Sequence, residues 1–282
     1  MKKKLALGLC AVAFSIASGT TAAEDYEYHP AFSDSFDVVL GYFRSDNTFK
    51  ITADNINFAT GGNDDIDFGN SLGVDQTNSL LNAQLRWRFG SKRMWSISGQ
   101  YFKNNANGDA TLKEDVEWQD VIFREGTFVG AGVSLAVTRL FLGRSFIKNN
   151  RHDFGAGIGV HNLDLSAYIE GEILINDGGT GFHRGDTAES QILPNVGAWY
   201  LYSPARKWLL RARVDWISAE IGDYDGTLWN TNVGVNYQFA RHFGVDLSYQ
   251  YFKLDVAVDS TDWVGGVEAT YSGPVISLTA NW

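Results

Sequence analysis

The chain has little of what would staple a small secreted domain or hold a metal. Of 282 residues, one is cysteine and four are proline. A single cysteine excludes an internal disulfide and a Cys-based zinc site. A basic excess is also missing. With 23 Lys+Arg against 33 Asp+Glu the net charge is −10, so a general nucleic-acid binder, which needs a basic footprint, is excluded. No run of about 18 apolar residues occurs, so helices do not carry this chain across a bilayer. Aromatic side chains, by contrast, make up 14% of the sequence, and there are 30 glycines.

The N-terminus reads as an address. Met1 to Lys4 is basic, Leu5 to Ala17 is apolar without an amphipathic face, and Thr21-Ala22-Ala23 precedes acidic Glu24 and Asp25. That order is the charged, apolar, small-residue sequence of a secretory signal peptide. Residues 1–23 are expected to be removed and residues 24–282 to form one domain. Cys10 lies inside the apolar segment, and Leu9 before it breaks the pattern that precedes a lipid-anchor cysteine. The exported chain would then contain no cysteine.

Period two runs through most of the remainder. Trp229, Thr231, Val233, Val235, Tyr237 and Phe239 alternate with Asn230, Asn232, Gly234, Asn236 and Gln238. Successive strand residues point to opposite faces, so this is one strand with a greasy and a wet side. Phe243 to Tyr251, Leu81 to Phe89, Trp208 to Trp216 and, more softly, Phe36 to Tyr42 behave alike. A soluble sandwich also alternates. Here, however, the greasy faces end in Trp, Tyr or Phe, the wet faces carry Arg, Asn and Gln, and the matches are long enough for a tilted strand to cross hydrocarbon.

The connections alternate as well. Those at 90–93, 147–152, 203–207 and 240–242 are short; those near 56–77, 104–126, 168–190, 220–227 and 256–262 are longer and rich in Asp, Asn and Gly. Brief turns on one rim and extended loops on the other, with a greasy exterior and polar interior, describe an all-β, transmembrane antiparallel β-barrel. Closing the sheet pairs every backbone group that lipid would leave unsatisfied. The turns give ten strands, at 36–55, 75–90, 93–112, 126–146, 152–170, 190–203, 208–221, 226–240, 242–257 and 263–282, with eight or twelve as alternatives. Face parity flips near Phe43 and near Gly273-Pro274, where β-bulges are expected.

The last strand carries a resemblance. Ile276, Leu278, Ala280 and terminal Trp282 alternate with Ser277, Thr279 and Asn281. This resembles the closing strand of Gram-negative outer-membrane β-barrel proteins, in which Phe is the commoner last residue. The resemblance implies residence in the cell outer membrane, neighbours that are outer-membrane lipids including lipopolysaccharide, and an assembly signal in these four residues read by the barrel-assembly machinery. It implies no cofactor, no nucleic acid and no particular ligand.

The inward positions form a polar cluster: Asn82, Gln84, Arg86, Arg88, Ser96, Ser98, Gln100, His161, Arg211, Arg213, Asp215, Asn230, Asn232, Asn236, Gln238, Asp246, Ser248 and Gln250. A ten-stranded barrel is little wider than an eight-stranded one, whose side chains fill it. One reading is therefore a packed core, with Arg86, Arg88, Arg211 and Arg213 paired to Asp37, Asp215 and Asp246, because buried charge without a partner is costly. The other is a narrow arginine-lined pore for anionic or polar solutes. The packed core is preferred, since nothing resembles a long folded-in constriction loop. The expected role is structural or surface-interacting.

Catalysis has weak support. No His-x-Ser of the barrel lipid A deacylases and no Asp-x-His of the omptin proteases occurs, although Asp64-Asp65 could imitate the omptin acidic pair. His161, on a strand with Gly155, Gly157 and Gly159, reads as an interior packing residue. The outer loops collect Asp64, Asp65, Asp67, Glu114, Asp115, Glu117, Asp120, Asp223, Asp225, Asp255, Asp259 and Asp262; solvation explains them, and calcium binding is a second reading. Arg184-Gly185-Asp186 matches an adhesion tripeptide by three residues only.

Overall fold

The computed structural model describes residues 28–53, 56–58, 66–118, 121–174, 180–221, 224–259 and 264–282. The expected signal segment, Asp64, Asp65, Asp120, Asp223 and Asp262 lie outside them. Ten long strands form the wall: β1 (Phe36–Ala53), β2 (Thr77–Phe89), β3 (Trp95–Thr111), β4 (Phe128–Lys148), β5 (His152–Leu174), β6 (Thr180–Ala205), β7 (Trp208–Ile221), β8 (Tyr224–Gln238), β9 (Phe243–Asp259) and β10 (Val264–Asn281). Each pairs antiparallel with the next. β10 returns to β1 from Asp37↔Asn281 to Ala53↔Gly265, which closes the barrel. The expected strand number holds.

The lengths differ. β5 and β6 continue as a ribbon to Leu174 and from Thr180, so most of the stretch expected as a loop at 168–190 is ladder. Alternation explains this: Ala167 and Ile169 are buried inside while Glu170, Arg184 and Asp186 stay outside. The Asp and Gly content that suggested a loop reflects a strand whose outer face meets water.

The expected bulges are absent where they were placed. Pairing keeps one register from Phe43↔Val275 to Asp46↔Ser272, with the ladder interrupted at positions 44–45 and 273–274 but not shifted. β9 and β10 also stay in register throughout. True shifts occur at Ser145/Ile147 and Tyr202/Ala205, near the short turns. What changes at Phe43 is the surroundings. Along β1, Phe36, Leu40 and Tyr42 face outward and Asp37 inward; beyond them Arg44 and Thr48 face outward, while Phe43, Phe49 and Ile51 are buried inside. The same exchange follows Tyr101 on β3, where Lys103 turns outward and Phe102 inward, and Tyr251 on β9, where Phe252 and Leu254 turn inward.

The barrel therefore has two storeys. The lower one presents apolar side chains to lipid and encloses polar ones. The upper one stands in water and has an apolar core. Exposed aromatics edge the lower storey: Phe36, Trp87, Trp95, Trp208, Phe243 and Trp282 on the short-turn side, and Tyr42, Tyr101, Trp216, Trp229 and Tyr251 on the other. From Trp229 to Phe239 a tilted strand rises about 25 Å, the height of an outer-membrane apolar band.

Both mouths are covered. Outside, Ile66–Asp67 pairs with β1, and Val74 bridges to Gly108 on β3. Gly73, at φ +68, has the carbonyl of Asp109 against it where a side chain would lie. A small sheet of Ile56–Phe58, Val116–Trp118 and Val121–Phe123 arches from β1. Phe68, Leu72, Trp118 and Phe123 are fully buried in the upper core. Trp118 reaches Gly185 on β6, where any Cβ would strike its ring. On the short-turn side, α1 (Pro30–Ser33) buries Ala31 and Phe32, which form one apolar cluster with Phe141, Trp199, Leu201 and Leu209. His29 caps α1, its Nδ1 accepting from the Ala31 N–H. Segments folded in at both ends, unexpected from the sequence, thus lie across the two mouths.

One ladder is incomplete. β6 pairs with β5 along its whole length, but its pairing with β7 stops at Val196↔Trp216. Pro194 would be next. The Ser203 N–H donates to Arg151 O, so odd residues of β6 point their backbone groups to β5 and even ones to β7, since such groups alternate along an antiparallel strand. The donor that Pro194 lacks is therefore on the β7 side, which ends the ladder there.

Candidate functional site

Every candidate lumen residue points inward, and the lower storey joins them. Asp215 on β7 is fully buried and accepts from Arg139 of β4, from Arg213 through Nε at 2.9 Å and Nη2 at 2.6 Å, and from Asn195 at 3.3 Å. Arg213 also lies over the Phe141 ring, 4.1 Å from its centroid. Arg211 donates to Asp246 at 2.6 Å and to Ser248 at 3.3 Å. Arg86 meets Asp37 at 3.6 Å. The expected pairing holds for these three arginines. Arg88 departs from it: its Nη1 donates to the Asp34 carbonyl at 3.1 Å, tying the wall to the N-terminal segment. Asp34 itself is held by both terminal nitrogens of Arg241 at 2.7 Å.

The neutral members bridge the lumen. Asn230 of β8 donates to Gln100 of β3 at 3.2 Å and lies 3.3 Å from His161 Nε2 of β5. β3 and β8 are opposite walls of a ten-stranded ring. Asn232 donates to Gln250 at 3.1 Å. Asn236 donates to Thr279 at 2.9 Å and meets His29 at 3.3 Å. A cavity lined by this network and by His29 and Ala31 measures about 80 Å³, room for several waters. Above it, Phe43, Phe102, Phe252 and Tyr271 touch ring to ring across the barrel at 5.7–6.4 Å.

Sequence reasoning missed Arg139. It lies between Val137 and Phe141 on the inward face of β4, so its own strand reads as uniformly apolar. It also missed Asp34, which precedes the first strand. The glycines of β5 have a packing role: a Cβ on Gly155 would meet Trp199 at 2.2 Å, and one on Gly159 would meet Asn195 at 2.9 Å. Flat wall there makes room for side chains from β6 beside His161.

The residues expected to form an assembly signal lie on the outer face: Ile276, Leu278 and Trp282 are exposed there, with Ala280 between them. Among the described residues no cluster of three or more His, Cys, Asp or Glu is arranged to hold a metal. Asp115 instead accepts from the Glu125 N–H and from Arg124, which holds its carboxyl below the usual range. Arg184-Gly185-Asp186 lies in a strand and not at a loop tip. Arg184 is bound to Asp186 and Glu170, at 2.9 Å each, and stacks on Tyr168 at 3.9 Å.

No family model and no curated protein matches the chain. Solved structures do. The outer membrane protease OmpT from Escherichia coli is similar with a TM-score of 0.56 and 11% identity, over 93% of this chain and 100% of that one. The translocator domain of the autotransporter NalP from Neisseria meningitidis has a TM-score of 0.46 and 11% identity, over 88% and 89%. The Pseudomonas putida toluene transporter TodX has 0.34 and 7%, over 88% and 90%. At such identity the likeness to OmpT speaks for fold and not for chemistry. A closed ten-stranded antiparallel barrel of that architecture, with a lipid-facing apolar band, is a Gram-negative outer-membrane β-barrel, and the cell outer membrane is where it resides.

Proposed function

We propose that this protein is a closed outer-membrane barrel whose extracellular rim, rather than its lumen, does the work: a structural or surface-interaction protein and not a diffusion channel. The reading rests on the Asn230–Gln100 hydrogen bond of 3.2 Å between opposite walls. A hydrated pore needs that space open. Steady single-channel steps from the purified protein in planar bilayers, with an anion preference lost in an Arg211→Ala, Arg213→Ala variant, would establish the pore instead. Silence would uphold the closed barrel.

No catalytic role is part of this reading. The interior His161 lies against the Asn230 amide, with no hydrogen bond to a serine or cysteine among the described residues, and the Asp215 carboxylate is taken up by two arginines. New products in mass spectra of lipid A or of peptides incubated with the folded barrel would overturn that part. Lipid partners fit the outer surface. Arg44, Lys103 and Lys253 sit two residues above Tyr42, Tyr101 and Tyr251, at the level of lipid phosphates. Residues 1–23 direct export, and the Ile276–Trp282 pattern is read during insertion; truncations assayed for membrane assembly in cells test both.

A further inference from the structure

We propose that the free edge of β6 above the membrane is a docking site for an extended basic peptide segment, which adds to the barrel wall as a strand. The proposal rests on the surface-interaction reading and names its kind of partner.

The edge follows from the pairing already described. Between Thr180 and Asn195 β6 is paired to β5 alone. Even-numbered residues turn their backbone groups away from β5, so Phe182, Arg184, Ala188, Ser190 and Ile192 present N–H and C=O groups with no ladder partner among the described residues. Odd residues serve the β5 ladder. The side chains around this edge are open to water: Phe182 is 71% and Ile192 61% exposed, and Ala188, Glu189 and Ser190 are exposed in succession. Strand edges of this length are ordinarily protected by charge, bulges, prolines or a covering loop. Here the proline stands only at the base, at position 194, where it keeps β7 off and leaves the strand above it regular.

Such an edge recruits another strand through main-chain hydrogen bonds, with alternate side chains giving selectivity. A second copy in the same membrane does not fit. A twofold axis along the membrane normal would cross the two β6 strands at twice their tilt, about 70–90°, and no ladder forms at that angle. The occupant is therefore a segment of another polypeptide. Its charge follows from the ribbon, where Arg184 is already taken up by Asp186 and Glu170 and where Asp164, Glu172 and Glu189 add further negative charge. Lysine or arginine at alternate positions, separated by β-branched residues, would meet that surface and the ladder together.

The probe is a fluorescent decapeptide of alternating lysine and valine; the control alternates lysine and proline, with equal charge and length but no capacity for a ladder. Anisotropy is measured with the whole folded protein in zwitterionic micelles, against empty micelles. The valine peptide should bind at least tenfold tighter than the proline peptide. An Ala188→Pro, Ser190→Pro variant should lose that advantage, because both missing donors are on the free side, while the fold persists. Glu189→Lys should weaken both peptides. Equal binding of the two peptides to the native protein overturns the proposal, as does undiminished preference in the double-proline variant. Should that variant fail to fold, hydrogen exchange of the native protein decides: slowing at the Ala188 and Ser190 amides when the valine peptide is added supports the ladder, and unchanged exchange refutes it. Absence of peptide binding in a barrel that is also silent in bilayers removes this inference and leaves the closed-barrel reading standing.

Discussion

Asp215 is the most exacting test of the packed interior. Its carboxylate is 0% exposed and answers two guanidiniums, Arg139 with a side chain 3% exposed and Arg213 with one 20% exposed. Asp215→Asn preserves shape and removes the charge, leaving Arg139 desolvated without a counter-ion. Removing one partner from a buried ion pair costs about 3–5 kcal/mol, whereas replacing the whole group by apolar residues of similar volume is close to neutral. The single variant should therefore lose about two to four decades in its folding equilibrium. The Arg139→Met, Arg213→Met, Asp215→Leu triple variant should regain most of that. Urea-driven unfolding in lipid vesicles, followed by tryptophan emission, reads both. A loss below about 1 kcal/mol for Asp215→Asn, or a triple variant no more stable than the single one, would refute the account of the lumen as a charge-balanced core.

Three other outcomes are expected. Leu278→Asp, at a lipid-facing position 65% exposed on the protein surface, should lower insertion by up to about 2 kcal/mol; normal assembly in cells would contradict the outward assignment of β10. Pro194→Val should let β6 donate to β7 beyond Val196↔Trp216, adding about 0.5–1.5 kcal/mol for each bond made and slowing exchange of the Ser218 amide, and unchanged exchange would show that the proline does not set the split. Burial pushes the His29 imidazole down to about 4, against the pull of its bond to Asn236. The neutral form is the folded one, so its contribution is complete above about pH 6.5 and falls away as pH drops toward 4. Proteolysis of the N-terminal segment should rise across that window and lose its pH dependence in His29→Phe.

Much of this architecture was legible because a strand reports its two neighbours residue by residue. The tryptophan–asparagine alternation of 229–239 placed β8 and its inward row, and through it the lumen residues that bond to Gln100 and Thr279. Three arginine–aspartate pairs followed from charge balance alone. The failures share one cause, the assumption that each strand has a single environment. Phe43 and Phe49 looked out of phase with Leu40 and Tyr42 because the strand leaves lipid for water, and a change of solvent exchanges the greasy and the wet sides without any slip in register. Arg139 was hidden for a related reason, since its apolar flanks belong to an aromatic-lined wall against which guanidiniums can stack. The covering loops left a fainter mark: Ile66, Phe68, Leu72 and Val74 are apolar within a stretch otherwise rich in Asp, Asn and Gly. The ribbon was misplaced as a loop because its polar outer face resembles one in composition.

The position of the solvent boundary has a consequence for access. From Tyr101 to Thr111, β3 climbs about 25 Å beyond the bilayer surface at the usual tilt, and the β5–β6 ribbon begins its own climb from Ile192. A turret of that height lifts its upper edge well clear of the lipid headgroups. On the surface-interaction reading proposed above, a macromolecule arriving from the medium would engage the protein while remaining clear of the lipid, and its hold would not depend on the composition of the leaflet beneath.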